Sequence, residues 1–500
     1  MNLETGWATH VALMWTPWLI VALYFTALAG LAAWGFHRLV LLHWLKSKPE
    51  HLKTSVQFSP EVLVQLPIFN ESLVVERLID SIAGLDWPHL VIQVLDDSTD
   101  ETSEKAGERI QYWRRKGVDI SHIRRSDRSG FKAGALAHGL ELNDSPFVAI
   151  FDADFVPRPQ FLRQMMPSLF DSRVGMVQAR WGHINRDQSL LTRLESLILD
   201  GHFVVEHTAR FRRSCFFNFN GTAGIWRRDC IEDAGGWAHD TITEDLDLSY
   251  RAQLKGWKFA YRDDVIAPAE VPGTVRAFLT QQHRWAKGTV QTARKLTGSI
   301  LQSDFPLTVR LEAINHLLMV AAYPAIFLLA VLLPMSIGAR EAVFDVNLQF
   351  IDIATILATT GSLVLFYGSA MHKGGESLMK RWWEIPCAMA LGVGSSASQT
   401  MAVLEGLFSS DATFIRTPKQ GGLRIPQVVP QIPSAQLLIT LGMTIYYLES
   451  MGRAALNHNW LSLPLLALFG SGFLCVSLSQ LLEGSRTVEA VEMDVAPAAK

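Results

Sequence analysis

Two carboxylates close an apolar run at Phe147-Val-Ala-Ile-Phe-Asp152-Ala-Asp154. A run of this length bounded by turn residues predicts a strand in a parallel sheet, and ligands of such sheets gather beyond the carboxyl ends of the strands. Asp152 and Asp154 can there reach one hard cation, Mg²⁺ or Mn²⁺, which keeps positions open for phosphate oxygens and steadies a diphosphate leaving group. Alone, Asp-x-Asp is so common that it more often marks two solvated turn residues.

Further polar groups follow the same logic. Asp96-Asp97-Ser98-Thr99-Asp100 ends another apolar run, where carboxylates can accept hydrogen bonds from a nucleobase or ribose, or where Ser98, Thr99 or Asp100 can cap a helix. Gln65-Leu-Pro-Ile-Phe-Asn70-Glu71 closes the first run and could line a base pocket. Ser129-Gly130-Phe-Lys132-Ala-Gly134 opens a helix, bringing backbone N–H groups and an ammonium toward phosphate. It lacks the Gly-Lys-Ser/Thr ending of a Walker loop. At Thr243-Glu244-Asp245-Leu-Asp247, one carboxylate could serve as a general base, or the acids could simply stabilise a helix N-terminus. In Gln281-Gln-His-Arg284-Trp285, the guanidinium can pair with a diphosphate and the indole can stack on a sugar, although an interfacial helix also carries such residues.

The elements that must position these groups are strands at Val62–Phe69, Leu90–Asp96, Ser121–Arg125, Phe147–Asp152 and Val174–Arg180, mostly separated by helical stretches. That alternation predicts a doubly wound α/β sheet over residues 56–300. Around it the 500-residue chain is apolar, with 49% hydrophobic residues and a mean hydropathy of +0.17. Residues 11–35 are nearly free of charge and long enough, at about 1.5 Å per residue, to cross a hydrocarbon core of roughly 30 Å. No basic region precedes them, so an uncleaved membrane helix is expected within residues 1–55 rather than a signal peptide. The basic flank Arg38, Lys46, Lys48 and Lys53 places the central domain on the cytoplasmic side.

Within 301–485, further crossings are expected at 311–337, 350–369, 435–452 and 460–482. A fifth apolar stretch, Trp382–Phe408, carries enough Ser, Gly, Gln and Thr to suit an interfacial or protein-packed helix. Residues 410–424 then stay cytoplasmic, and a small polar tail, 486–500, is expected to be disordered. Cys215, Cys230, Cys387 and Cys475 lack metal-ligand spacing and fit reduced residues. A formal charge of −3 gives no nucleic-acid signal.

The order Asp96-Asp97, Asp152-x-Asp154, Thr243-Glu-Asp245, Gln281-x-x-Arg284-Trp285 resembles membrane-embedded, processive family 2 glycosyltransferases, the group of cellulose, hyaluronan and chitin synthases. The strings Val94-Leu-Asp-Asp-Ser-Thr-Asp100, Val177-Gln-Ala-Arg-Trp181 and Phe219-Asn-Gly-Thr-Ala-Gly224 bring it nearest the cellulose-synthase-like A and C classes, which make mannan and glucan backbones. The resemblance spans about residues 60–425.

It implies a GT-A type, Rossmann-like domain inserted between transmembrane helices. Asn70, Asp96 and Asp97 would contact the nucleoside, Lys132 and Arg284 the phosphates, and Asp152 and Asp154 the nucleotide and its Mg²⁺ or Mn²⁺. Asp245 would be the base, with Thr243 and Glu244 shaping its loop. Gln281 would hold the diphosphate, while Phe219, Asn220, Gly221, Thr222 and Trp285 would line the acceptor site. Phe414, Thr417 and Lys419 resemble a gating loop over the nucleotide. The implied reaction is a metal-dependent, inverting hexosyl transfer from UDP-glucose or GDP-mannose, with UDP-glucose the commoner donor of the superfamily. It would elongate a β-linked glycan and export it through a bacterial inner membrane or a Golgi membrane, in contact with membrane lipids and with room for accessory export proteins. A single transfer to ceramide or polyprenyl phosphate is the nearest alternative, and a nucleotide-regulated transporter the more distant one.

Overall fold

The computed structural model describes residues 4–48, 59–343, 349–409 and 434–494. They fall into two compact units, one of His43–Leu318 with Glu405–Val429, the other of Met1–Leu42, Met319–Leu404 and Pro430–Lys500.

The first unit is built on seven strands: β1 Val62–Ile68, β2 Leu90–Asp96, β3 Ile120–Ile123, β4 Phe147–Ile150, β5 Val174–His183, β6 Gly224–Arg227 and β7 Lys258–Ala269, in the order β3-β2-β1-β4-β6-β5-β7. Alternate residues feed two cores. Val62, Val64 and Leu66 of β1 join Phe147 and Ala149 of β4 on one face, while Leu63, Val148 and Ile150 point to the other. Such period-2 division with both faces buried is what a helix-covered sheet requires.

The sheet is not wholly parallel, as the alternation of elements predicts. β6 runs antiparallel to both β4 and β5, whereas β1 to β4 and the β5–β7 pair are parallel. Neither β6 nor β7 is expected from the sequence. β6 has only four residues, and β7 is interrupted by a register shift at Ala179/Arg180 of its partner, beyond which Ala179 faces Arg262 but Arg180 faces Ile266. The charged Arg262-Asp263-Asp264 therefore breaks the apolar alternation that would reveal the strand.

Among the described residues, four helical segments are long and apolar enough to cross a membrane: Thr16–Trp44, Leu307–Arg340, Glu384–Phe408 and Leu463–Glu483. Helices Gln349–Lys373 and Ser434–Leu456 cover the other two expected crossings but are not among these four. Glu384–Phe408 is one continuous helix with the length and composition of a span. Its Ser395, Ser396, Ser398 and Gln399 are buried, in agreement with packing against protein. The last helix runs on to Asp494, past the expected start of a disordered tail, through a stretch containing the helix formers Glu, Ala and Met. All four cysteines are free.

Small residues set the closest approach in this second unit. A Cβ on Gly394 would lie 2.2 Å from the carbonyl oxygen of Gly472, and one on Gly472 would lie 2.2 Å from that of Ala390. Helices Glu384–Phe408 and Leu463–Asp494 thus meet backbone to backbone, as small residues permit in apolar surroundings. Gly472→Ala should force them apart at a cost of about 1–3 kcal/mol. Its thermal midpoint in detergent should fall below wild type, and an unchanged midpoint would refute the contact.

Candidate active site

β1, β2 and β4 all end at one edge of the sheet, and the antiparallel β6 begins there. With Gly224 paired to Ile150, the segment preceding β6 is delivered beside the end of β4. Ala223 N–H donates to the Ile150 carbonyl over 2.8 Å, and Asp152 N–H to Thr222 Oγ1 over 2.9 Å. The reversed strand therefore sets Gly221 against Asp152.

A cleft opens at this edge. Among its walls are Asp97, Lys132, Asp152, Asp154, Asn220, Gly221, Thr243, Glu244, Asp245, Gln281, Arg284 and Trp285, so most of the predicted groups meet in one place. Lys132, in the first turn of helix Phe131–Glu141, is the hub. Its ammonium donates to Asp152 Oδ1 over 2.6 Å and to the Gly221 carbonyl over 2.9 Å, and lies 4.0 Å from Glu244 Oε1. Burial disfavours its charge, but Asp152 and Glu244 outweigh burial and raise its pKa.

Opposite, helix Glu244–Leu254 begins with Glu244 and Asp245 in its first turn. Thr243 stands at the N-cap position but makes no side-chain cap bond; its hydroxyl faces that of Thr292 at 3.3 Å. Thr243 thus ties the loop to helix Val275–Gln302. Burial pushes the Asp245 carboxyl up to about 7, with the neighbouring Glu244 charge adding to the rise and Lys132 opposing it. Glu244 is raised by burial too, against the pull of Lys132. Arg284 reaches the cleft from helix Val275–Gln302. Burial lowers its pKa, while the charges of Glu244, Asp152, Asp245 and Asp154 raise it.

Five residues of the predicted set are held by neighbouring groups in this structure. Asp96 is buried and its oxygens are engaged: Ser98 N–H donates at 2.8 Å, Ser103 Oγ at 2.6 Å, and His122 Nε2 lies at 2.9 Å. Burial would raise its pKa, but the hydrogen bonds from His122, Ser103 and Ser98 bring it down to about 2. Asp96 is a loop organiser outside the cleft. Asn70, at a φ of 54°, accepts from Thr99 N–H over 2.9 Å and joins the ends of β1 and β2. Phe219 is fully buried against Trp226, with ring centroids 5.6 Å apart, and Thr222 is spent on Asp152. Gln65 is also buried away from the cleft, donating to Gln93 Oε1 over 3.1 Å. Phe414, Thr417 and Lys419 lie outside the described residues.

Asp97 keeps its place in the cleft but is held by the Arg125 guanidinium, which donates to both its oxygens. Sequence reasoning missed Arg128, whose guanidinium lies 3.3 Å from the centroid of the Phe69 ring, and also His183, Glu195 and Glu270. Trp181 stood inside a recognised string with no role attached. No short motif marks these positions, because they come from strand ends, a loop and a helix that only the fold brings together.

Asp152 and Asp154 suit a hard divalent cation. Both act on the Arg284 guanidinium, so they face a common region, and both offer carboxylate oxygens. Among the described residues no group of three or more His, Cys, Asp or Glu forms a ready-made cage. A pair of carboxylates completed by diphosphate oxygens is the donor set Mg²⁺ commonly accepts.

Gly221 is required twice over. Its φ is 79°, and a Cβ would stand 2.9 Å from Asp245 Oδ2 and 3.3 Å from Lys132 Nζ. Gly221→Ala should therefore displace the carboxylate and lower kcat at least about tenfold while the protein stays folded. Unimpaired turnover in a steady-state assay would show that Asp245 needs no such clearance.

Comparison with known proteins agrees with this geometry. Residues 147–360 match the family model described as glycosyl transferase family group 2. Glucomannan 4-beta-mannosyltransferase 2 of Arabidopsis thaliana is 47% identical over 251 residues, 49% of this chain and 47% of that protein. Glucomannan 4-beta-mannosyltransferase 7 of the same plant is 34% identical over 397 residues, 75% of this chain and 68% of that protein. The chain thus spans about half the length of the first of these relatives and two thirds of the second. A mannosyltransferase from Pyrobaculum calidifontis, solved with GDP-Man and Mn²⁺, superposes with a TM-score of 0.52 at 22% identity, covering 79% of this chain and 99% of that one. That likeness establishes the GT-A type fold. Together with the ordered motifs, these matches show that the chain belongs to glycosyltransferase family 2, close to the cellulose-synthase-like A branch.

Proposed function

We propose that this protein transfers mannose from GDP-mannose, with inversion, to the end of a β-linked glycan. The observation that carries this reading is the Asp245 carboxylate, buried in the same cleft as Lys132, Asp152 and Arg284 and raised toward neutrality. A base poised near the working pH is what deprotonation of a sugar hydroxyl calls for. The mannosyltransferase names of the relatives favour GDP-mannose over UDP-glucose, the commoner donor of the superfamily.

In this reading the acceptor hydroxyl oxygen forms a bond to the anomeric carbon as the bond from that carbon to the diphosphate oxygen breaks. The hydroxyl proton passes to Asp245, and the electron pair of the broken bond leaves on the nucleoside diphosphate. One displacement converts an α-linked donor to a β-glycoside without an enzyme nucleophile. Lys132 and Arg284 supply cationic partners for the diphosphate. A divalent cation on Asp152 and Asp154 would add charge stabilisation of the leaving group. In this reading Asp97 and Arg128 would contact the nucleoside, and Asn220 and Trp285 the acceptor sugar, all four being residues of the cleft wall. The four apolar helices support a membrane location, and the basic flank after the first of them supports a cytoplasmic catalytic unit. Elongation and export of the product belong to the same proposal.

Purified protein in detergent or nanodiscs, given GDP-mannose or UDP-glucose with Mn²⁺ and a β-1,4-mannooligosaccharide, should release GDP and extend the oligosaccharide. UDP release alone would reverse the donor assignment, and a product confined to mono-glycosylated lipid would identify a single-transfer enzyme. Asp245→Asn should reduce transfer by roughly 10²–10⁴-fold and leave GDP binding largely intact. Turnover near wild type would remove Asp245 from the role of base.

Because the deprotonated carboxylate is the active form, kcat/KM should rise with pH through about 7 and level off above it. Lys132 opposes the rise in the Asp245 pKa, so Lys132→Met should move that limb to higher pH. An unshifted limb in the variant would separate the titrating group from Asp245.

A further inference from the structure

The helix that carries Lys132 begins on strained backbone. Gly130, at its N-cap, has a φ of 67°, and Phe131, its first residue, a φ of 47°. Glycine enters this left-handed region freely, but the Cβ of any other residue crowds the following carbonyl oxygen there, and for a bulky side chain the conformation is a genuine outlier. Such a residue persists only where its surroundings over-determine it. Lys132 comes next, so the direction in which its side chain leaves the helix, toward Asp152 and Gly221, depends on that turn.

One side chain grips the turn on both sides of the strain. Arg125, two residues beyond β3, donates through Nη1 to the Ser129 carbonyl over 2.8 Å and through Nη2 to the Phe131 carbonyl over 3.0 Å. These two carbonyls bracket the two left-handed residues. The same guanidinium reaches the Asp97 carboxylate, Nε donating to Oδ1 over 3.0 Å and Nη2 to Oδ2. Asp97 directly follows β2, the strand paired with β3, so Arg125 is braced on the sheet edge while it holds the turn. The Arg125 side chain is 12% exposed and that of Asp97 9%, which limits competition from water for these bonds.

The first turn of the helix closes over this grip only because residue 134 is glycine. A Cβ there would stand 2.1 Å from the Ser129 carbonyl oxygen and 2.7 Å from Arg125 Nη1. Arg125 is therefore packed as well as bonded. A lysine in its place could keep a charge opposite Asp97, but it lacks the planar fork that reaches a carboxylate and two carbonyls at once.

We infer that Arg125 is a positioning residue for Lys132: braced on Asp97, it holds Phe131 in the left-handed conformation and so keeps the ammonium in the cleft. Asp97 then serves the phosphate end of the cleft through the backbone, without touching what binds there. The effect on ligand binding rests on the reading of Lys132 as a partner of the donor diphosphate, whereas the placement of Lys132 is measurable with no nucleotide present.

The test measures GDP affinity by titration, and the rate at which Lys132 is acetylated in the free protein by peptide mass spectrometry. Arg125→Lys should lower GDP affinity about tenfold, the order of the strain that one left-handed residue represents. Its Lys132 should be acetylated faster than in wild type, because Asp152 and the Gly221 carbonyl no longer hold the ammonium. In a Phe131→Gly background, where the left-handed turn carries no steric strain, both effects of Arg125→Lys should largely vanish. In a Lys132→Met background Arg125→Lys should cause no further loss of GDP affinity, because its effect runs through the lysine. Gly134→Ala, whose Cβ displaces the Ser129 carbonyl and the guanidinium, should reproduce the faster acetylation, and it replaces Arg125→Lys in the same cycles if that variant does not fold. Acetylation at the wild-type rate, an effect undiminished by Phe131→Gly, or a loss that adds to that of Lys132→Met would overturn the inference. Wild-type protein that fails to bind GDP would overturn the donor reading instead, and the acetylation rates would still decide whether Arg125 positions Lys132.

Discussion

The Lys132 ammonium is the interaction on which the cleft depends. Two carboxylates and a backbone carbonyl from three separate segments converge on it: Asp152 after β4, Glu244 at the start of its helix, and Gly221 before β6. Without the cation, Asp152, Glu244 and Asp245 would stand together in a partly desolvated space, where like charges at short range drive protons onto one another. With it, the acids are held close without all being neutralised. Removing one partner of such a cluster leaves the others uncompensated, so its geometry is determined collectively.

The cation alone does not choose its neighbours; the sheet does. Had β6 entered parallel to β4, its preceding loop would lie at the opposite edge. The antiparallel insertion turns that loop back toward the carboxyl ends of β1, β2 and β4. Gly221 then tolerates both the left-handed backbone and the proximity of the Asp245 oxygen. A glycine also recurs on the other side of the base: a Cβ on Gly288 would lie 2.5 Å from the Thr243 methyl group, so helix Val275–Gln302 can press on the Thr243–Glu244–Asp245 loop only where that side chain is absent. The Thr243–Glu244–Asp245 loop is thus bounded on two sides by glycines, Gly221 against Asp245 and Gly288 against Thr243.

Much of this was legible in the sequence, and what was not has physical causes. Asp152, Asp154, Asp245 and Arg284 were readable because their types and order carry chemistry, and β1, β2 and β4 because uninterrupted apolar runs announce buried strands. Asp96 and Asp97 are adjacent and chemically identical, yet the alternation of side chains along the chain sends one into a network with His122 and Ser103 and the other to the cleft. Thr222 and Asn70 carry hydroxyl and amide groups that look ready for ligands but are consumed by neighbouring backbone. Burial and partner choice decide these cases, and neither is a property of a residue's own type.

On the proposed reading, the charge arrangement would also link occupancy of the cleft by a diphosphate to the proton affinity of Asp245. In the free cleft Lys132 lowers the Asp245 pKa, opposing the rise caused by burial and by Glu244. An incoming diphosphate competes for Lys132 and Arg284 and brings negative charge of its own, so it weakens the stabilisation of the Asp245 carboxylate and makes it a stronger proton acceptor. Asp152 and Asp154 would hold a divalent cation, whose charge would oppose that rise and favour the ionised form of Asp245. On that reading the Asp245 carboxylate would be the stronger proton acceptor when a nucleoside diphosphate fills the site, and the weaker one in an empty cleft. That coupling needs no moving part, since it follows from placing one lysine, one arginine and four carboxylates around a single space.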